Sequence, residues 1–296
     1  MVIKKVGVIG CGLMGHGIVQ VAAQAGYSVV AVESDPGALQ KGLSRIEKSL
    51  AKLAEKAVEK GKSAAAAEAD AKATFARIQG TTDKQALKDA DLVIEAIVEN
   101  LEVKNKLFAE LDKIVQKSAI FASNTSSFPI GAMGRASGRP DRMVGLHFFN
   151  PVQLMKLVEV VRAAETSNEA FAAARAFGES VGKIPVACKD TPGFVVNRLL
   201  VPYMSQALLM LERGEATKED IDAAMQYGCG YPMGPLTLTD YVGLDTTLAI
   251  LEGWVKSYPN EPAFVIPAIL RQKVKEGKLG RKSGEGFYKW DGDKKS

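Results

Sequence analysis

Two places in the sequence hold residues whose types and spacing could do chemistry. The first is Gly10-Cys11-Gly12-Leu13-Met14-Gly15, which fits the pattern GxGxxG. Glycines at these steps let a backbone turn close against a pyrophosphate. The second is "HFFNPVQLMKLVEVV", which begins at His147, one of only two histidines in 296 residues, and carries Glu159 twelve positions later. Histidine titrates near neutrality and can take a hydroxyl proton, and a carboxylate can orient the ring and stabilise its charged form. Taken alone, His147 reads as a satisfied core histidine and Glu159 as a strand residue on a solvated face. "KLVEVV" does not alternate cleanly enough to decide.

The elements around the glycines give that turn its meaning. "VGVIG" is a short continuous apolar run, as in a parallel strand buried on both faces. "MGHGIVQVAAQAG" has apolar residues at helical spacing and closes on Gly26, and "SVVAVE" is a second strand ending at Glu33. Strand, glycine turn, helix, strand and terminal acid together are a dinucleotide fingerprint. Gly10 permits the tight turn, Gly12 the approach of the pyrophosphate, and Gly15 the close packing of helix on strand. Glu33 would accept both adenosine ribose hydroxyls and repel a 2′-phosphate. No arginine follows in "ESDPG", so NAD is favoured over NADP. His16, in the first helical turn, reads as a partly exposed helix residue.

Further along, residues 35 to 74 read as a helical hairpin bending at Gly61. Its Ala-rich "SAAAAEADAKA" is more helix than linker by propensity. Lys41, Arg45, Lys48, Lys52 and Lys56 fall on one helix face. Such a stripe is usually a solvated face, but it would also attract an anionic ligand. "ADLVIEAIVE", "AIFASNTSS", "RMVGLHFFNP", "KLVEVV" and "IPVAC" are strands, and "VKNKLFAELDKIV" and "EAFAAARAFGESVG" helices. This alternation predicts an α/β domain with a parallel or mostly parallel sheet, Rossmann-like, with the hairpin inserted. Beyond Cys188 helix patterns dominate, one of them starting at "TKEDIDAAM" with Thr217 as N-cap. The expected domains are 1–188, dinucleotide-binding, and 189–296, all-α.

Composition narrows the function classes. A formal net charge of +4 with 24% charged residues does not call for nucleic acid, and no nucleic-acid motif is present. Three widely spaced cysteines without a CxxC pair point to free thiols in a reducing compartment, and no metal cluster is expected. "MVIKKVGVIG" runs straight into a strand, leaving no room for a targeting peptide, and no apolar run reaches membrane-spanning length. Cytoplasmic location follows as the expectation.

The chain resembles the L-3-hydroxyacyl-CoA dehydrogenase family, NAD-dependent enzymes of fatty-acid β-oxidation and butanoate metabolism. The motifs that carry the resemblance run in order from end to end: "GVIGCGLMGHGI", "EAIVENLEVKNKLF", "ASNTSS", "GLHFFNPV", "KLVEVV", "KDTPGFVVNRLL", "GYPMGP", "DYVGLDT" and "GRKSGEGFY". The resemblance implies that His147 is the acid/base and Glu159 its partner. It implies that Ser126 and Asn197 polarise the substrate oxygen, and that Asn150 lies near the nicotinamide. Glu99, Lys104 and Lys282 match cofactor contacts, as do Leu13, Met14 and Ser126. Ser49, Lys56 and Ser126 match contacts to coenzyme A. By pattern alone Lys104 and Lys282 are ordinary surface lysines and Glu99 a strand-end acid. Glu33 stands where the family has aspartate, which keeps the charge.

The implied activity is interconversion of (3S)-3-hydroxyacyl-CoA and 3-oxoacyl-CoA, 3-hydroxybutyryl-CoA among them, by a stand-alone homodimer. The helical domain would close the cleft and supply the dimer interface. Two other readings compete: a hydroxy-acid dehydrogenase on the same scaffold, and a non-catalytic NAD-binding protein. The latter predicts a damaged dyad, whereas His147, Glu159, Ser126 and Asn197 are all present.

Overall fold

The computed structural model describes residues 2–296. The chain divides into two compact units, one running to Phe194 and the other from Val195 to Ser296. The first contains β1 (Lys5–Ile9), α1 (Gly15–Gln24), β2 (Ser28–Val32), α2 (Pro36–Glu59), α3 (Ala64–Phe75) and β3 (Ile78–Thr81). It continues through β4 (Leu92–Glu95), α4 (Leu101–Ile114), β5 (Ile120–Ser123), α5 (Ile130–Ser137), β6 (Met143–Phe148), β7 (Leu157–Arg162), α6 (Asn168–Ser180) and β8 (Ile184–Lys189). The eight strands form one sheet in the order β3-β2-β1-β4-β5-β6-β7-β8. Every neighbouring pair is parallel except β6 and β7, which run antiparallel.

Both faces of this sheet are buried, and alternation along each strand feeds the two layers. On β2, Val29 and Ala31 join Ile18 and Val19 of α1 in one core, while Val30 and Val32 join Phe108 and Leu111 of α4 in the other. Phe108 and Phe121 are fully buried, each worth about 2–3 kcal/mol of burial. The chain leaves central β1 for β2 on one side and later returns to β4 on the other. That switch point opens a crevice at the strand C-terminal ends, where the Gly10 turn sits.

The expected hairpin is present. Asp35 caps α2 by accepting from the Ala38 N–H at 2.6 Å, and Pro36 occupies the first helical position. Gly61 turns the chain at φ +97°, and Ser63 caps α3, so the Ala-rich run is helix. β3 was not expected from the sequence. "IQGT" is four residues long, holds a glycine and two polar side chains, and forms the sheet edge, so it carries little strand pattern. The division between units falls six residues beyond the expected boundary at 188. β8 is still in the sheet to Lys189, and the Asp190 carboxylate then accepts the N–H groups of Ile130 and Gly131, tying the following segment to α5.

The second unit contains α7 (Val196–Glu212), α8 (Lys218–Ala223), α9 (Pro235–Val242), α10 (Leu244–Ser257) and α11 (Ala268–Lys275). Thr217 caps α8 as the sequence suggests, accepting from the Asp220 N–H at 3.1 Å. The all-α expectation needs one correction: β9 (Trp290–Asp291) and β10 (Lys294–Lys295) pair antiparallel near the end of the chain. Buried Asp240 anchors this segment, accepting from the backbone N–H groups of Phe287 and Tyr288 and from the Trp290 indole. Burial holds its carboxyl above the usual carboxylate range.

Candidate active site

The glycine turn leaves β1 and enters α1. Gly10 adopts φ +92°, and a Cβ there would meet the Ala96 carbonyl oxygen at 2.4 Å. A Cβ on Gly15 would stand 1.7 Å from the Gly10 carbonyl oxygen. Nothing lies within 4 Å of a Cβ on Gly12. The three glycines therefore differ in kind: two are demanded by the protein's own packing, and Gly12 faces open space. Leu13 is exposed and Met14 half-buried at the entrance to α1. The His16 ring nitrogen Nδ1 lies 2.7 Å from the Gly12 carbonyl oxygen, so this histidine is spent within the turn.

Gly10, Gly12, Val32, Glu33 and Thr82 contribute to a cavity of about 630 Å³, completed by Ile97 and other side chains of the β4–α4 region. Mostly apolar walls, with Glu33 beside the glycine turn and Lys84, Lys106 and Glu110 also in the lining, suit an adenosine. Glu33 Oε2 accepts the Cys11 N–H at 2.9 Å and Oε1 accepts the Ser34 N–H at 2.8 Å, which locks the carboxylate at the mouth. Burial and this carboxylate push the Cys11 thiol up to about 11, so it is neutral near pH 7.

His147 and Glu159 are paired residues of β6 and β7. Directly opposite residues in an antiparallel pair share a face, with Cβ atoms about 5 Å apart. His147 Nδ1 lies 2.6 Å from Glu159 Oε2, with the two residues 4% and 0% exposed. A carboxylate only accepts, so Nδ1 carries the proton and Nε2 is the basic nitrogen. Nε2 lies 2.9 Å from Ser126 Oγ. Aromatic rings flank the imidazole: Phe149 at 4.6 Å and Phe194 at 5.6 Å between centroids. Phe194 holds φ 53°, a left-handed conformation uncommon outside glycine and often found at functional sites.

Ser126 follows β5 and is steered by Glu99, whose Oε1 accepts the Ser126 N–H at 3.2 Å and the Thr125 hydroxyl at 2.5 Å. Lys104 is not the surface lysine its pattern suggests. It is 1% exposed, with Nζ 2.6 Å from Glu95 and 3.0 Å from Glu99. Glu95, at the end of β4, also accepts the Ser123 hydroxyl at 2.6 Å. Sequence reading gave Glu95 and Ser123 no role, although "EAIVENLEVKNKLF" and "ASNTSS" contain them, since each ends an apolar strand. The one available signal was an acid in "LVIEAI", the same anomaly that singled out Glu159.

Asn150 lies just past β6, in the loop that turns back to β7. Lys183 fixes this loop from below, donating to the carbonyl oxygens of Val152 and Met155 at 2.5 and 2.8 Å. Burial lowers the affinity of its amine for the proton. On α2, Ser49 is half-buried and Lys56 exposed, while Lys41, Arg45 and Lys48 line a groove of about 550 Å³. Asn197 and Lys282 belong to the second unit. Asn197 lies in the first turn of α7, and Lys282 is paired with Asp245 at 2.6 Å. Among the described residues no cluster of metal-ligating side chains occurs.

Known proteins match nearly the whole chain. Residues 5–191 match the family described as 3-hydroxyacyl-CoA dehydrogenase, NAD binding domain, and residues 193–290 match 3-hydroxyacyl-CoA dehydrogenase, C-terminal domain. The human mitochondrial hydroxyacyl-coenzyme A dehydrogenase is 50% identical, over 98% of this chain and 92% of that protein. A probable 3-hydroxybutyryl-CoA dehydrogenase of Deinococcus radiodurans is 49% identical, over 97% of this chain and all of that one. The crystal structure of (S)-3-hydroxybutyryl-CoA dehydrogenase from Ralstonia eutropha superposes with a TM-score of 0.92 at 42% identity, covering 98% of this chain and 100% of that one. An intact dinucleotide turn and matches this complete mean that the chain belongs to the 3-hydroxyacyl-CoA dehydrogenase family and uses NAD.

Proposed function

We propose that the protein interconverts (3S)-3-hydroxyacyl-CoA and 3-oxoacyl-CoA, with 3-hydroxybutyryl-CoA and acetoacetyl-CoA as a working pair. One observation carries this reading: His147 is held at Nδ1 by Glu159 and meets Ser126 at Nε2. NAD supplies the hydride acceptor when bound. In the oxidative direction His147 Nε2 takes the proton from the 3-hydroxyl as hydride leaves C3. Glu159 stabilises the resulting imidazolium without leaving its hydrogen bond. Ser126 Oγ donates to the substrate oxygen and keeps it beside Nε2. In the reductive direction the imidazolium returns the proton to the oxygen.

The resemblance adds Asn197 as a second donor to that oxygen, Asn150 and Lys282 as cofactor contacts, and Ser49 and Lys56 as contacts to coenzyme A. Fatty-acid β-oxidation or butanoate metabolism is the setting. A homodimer is supported by apolar groups left exposed on the helical unit: Leu199 at 69%, Tyr227 at 89% and Tyr231 at 48%. Three free cysteines favour the reducing cytoplasm.

Replacement of His147 by alanine tests the core of the reading. Acetoacetyl-CoA reduction should be lost while NADH still binds. Near-full activity in this variant would sink it.

A further inference from the structure

Glu95, Lys104 and Glu99 form a linked set of charges behind Ser126. Glu95 is 0% exposed and is held by the Ile97 N–H at 2.8 Å, by the Ser123 hydroxyl and by the Lys104 ammonium. Lys104 bridges to Glu99, whose side chain is 43% exposed. Glu99 then holds the Ser126 backbone, and Ser126 Oγ touches His147. A buried lysine needs one carboxylate to be neutralised, and this one has two. The set therefore carries one net negative charge, with its exposed end at Glu99. Two of these charges, Glu95 and Lys104, are fully buried at a cost, and apolar side chains would join α4 to β4 as well or better. Structural attachment alone does not account for them.

Hydride must arrive within reach of the substrate carbon that His147 and Ser126 serve, so the nicotinamide ring comes to the same place. Its oxidised form is positively charged and its reduced form neutral. We propose that Glu95, acting through Lys104 and Glu99, sets a net negative charge beside the nicotinamide and so favours binding of NAD⁺ relative to NADH. Lys104 cancels one carboxylate, and Glu95 ensures that the other is left over. Glu95 is thus a positioning residue that never meets the cofactor. The proposal rests on the dehydrogenase reading above.

The experiment is calorimetric titration of the purified cofactor-free protein with NAD⁺ and with NADH, comparing the ratio of the two Kd values among variants. Glu95→Gln removes one unit charge. At roughly 10 Å and an effective dielectric of about 20–40, the ratio Kd(NAD⁺)/Kd(NADH) should rise roughly four- to sixteenfold. The double variant Glu95→Met/Lys104→Met removes opposite charges together and leaves Glu99, so its ratio should stay within about twofold of wild type. Adding Glu99→Gln to that background should raise the ratio as Glu95→Gln does, and serves if Glu95→Gln does not fold. Equal weakening of both dinucleotides in Glu95→Gln, or a double variant shifted as far as the single, overturns the proposal. A wild type that binds neither dinucleotide sinks the dehydrogenase reading and the proposal together. A wild type that binds both, with an unchanged ratio in the variants, sinks the proposal alone.

Discussion

His147 and Glu159 face each other as partners in the one antiparallel pairing of an otherwise parallel sheet. The twelve-residue interval follows from this. β6 ends at Phe148, the loop turns back, and β7 returns Glu159 opposite the histidine. A parallel neighbour would have needed a crossover of a dozen or more residues and could not have delivered the acid so soon.

Glu159→Gln keeps the shape and removes the charge that stabilises imidazolium. We expect kcat to fall about 10²–10⁴-fold with a modest change in KM, because the interaction strengthens in the transition state. Steady-state kinetics with acetoacetyl-CoA and NADH check this. An unchanged rate and pH profile would remove Glu159 from the mechanism.

Gly12→Ala and Gly15→Ala should part company. Gly15→Ala places a methyl group inside the Gly10 carbonyl contact distance and should prevent normal folding. Gly12→Ala meets no protein atom, so thermal unfolding should match wild type while NADH affinity drops at least tenfold, since the methyl intrudes on the pyrophosphate. Unaltered NADH binding in Gly12→Ala would mean that the phosphates lie elsewhere.

Cys11 gives the fold an alkaline liability. Its thiol is pushed from 9.0 to about 11, first by burial and then by Glu33, partly opposed by Arg45. Below pH 9 the thiol is protonated in folded and unfolded chains alike, so its stabilising contribution is fully present. Between about 9 and 11 only the unfolded chain releases the proton, and stability falls as pH rises. Cys11→Ala should flatten the decline of Tm across that window, and parallel curves would show the thiol to be irrelevant. In thiol labelling at pH 8, exposed Cys229 should react well before Cys11 and Cys188, the latter pushed up to about 12.

Lys183→Met should cost about 1–3 kcal/mol, because the buried Val152 carbonyl oxygen loses its donor and the part-buried Met155 carbonyl oxygen loses a second contact. The Asn150 loop is the part released, so KM for NADH should rise more than KM for acetoacetyl-CoA. A urea midpoint within error of wild type would contradict this.

Lys56→Ala addresses the coenzyme A assignment. KM for acetoacetyl-CoA should rise several-fold at constant kcat, the mark of binding energy realised equally in ground and transition states. No change would return Lys56 to the solvated face of α2.

Much of this was legible before folding. Glycine turn, strand and terminal acid are close in sequence, and local spacing fixes their geometry. The dyad was visible as two chemical oddities, but their meeting depends on a strand reversal that "KLVEVV" does not announce. The convergence of Lys104 with Glu95 and Ser123 was illegible for the same reason: they come together from α4, β4 and β5, and a lysine on an amphipathic helix looks the same whether it points to water or to a buried acid. Edge strand β3 and the terminal β9–β10 hairpin are too short for periodicity to show.

The double engagement of Glu33 bears on changing the coenzyme. A design aimed at the phosphorylated dinucleotide would begin by deleting this carboxylate. The same oxygens hold the Cys11 and Ser34 amides, so the deletion also unties the loop that shapes the phosphate cradle. Retargeting here calls for two repairs at once: a cation for the added phosphate and a neutral acceptor for the orphaned amides. Specificity and scaffold are written in one side chain.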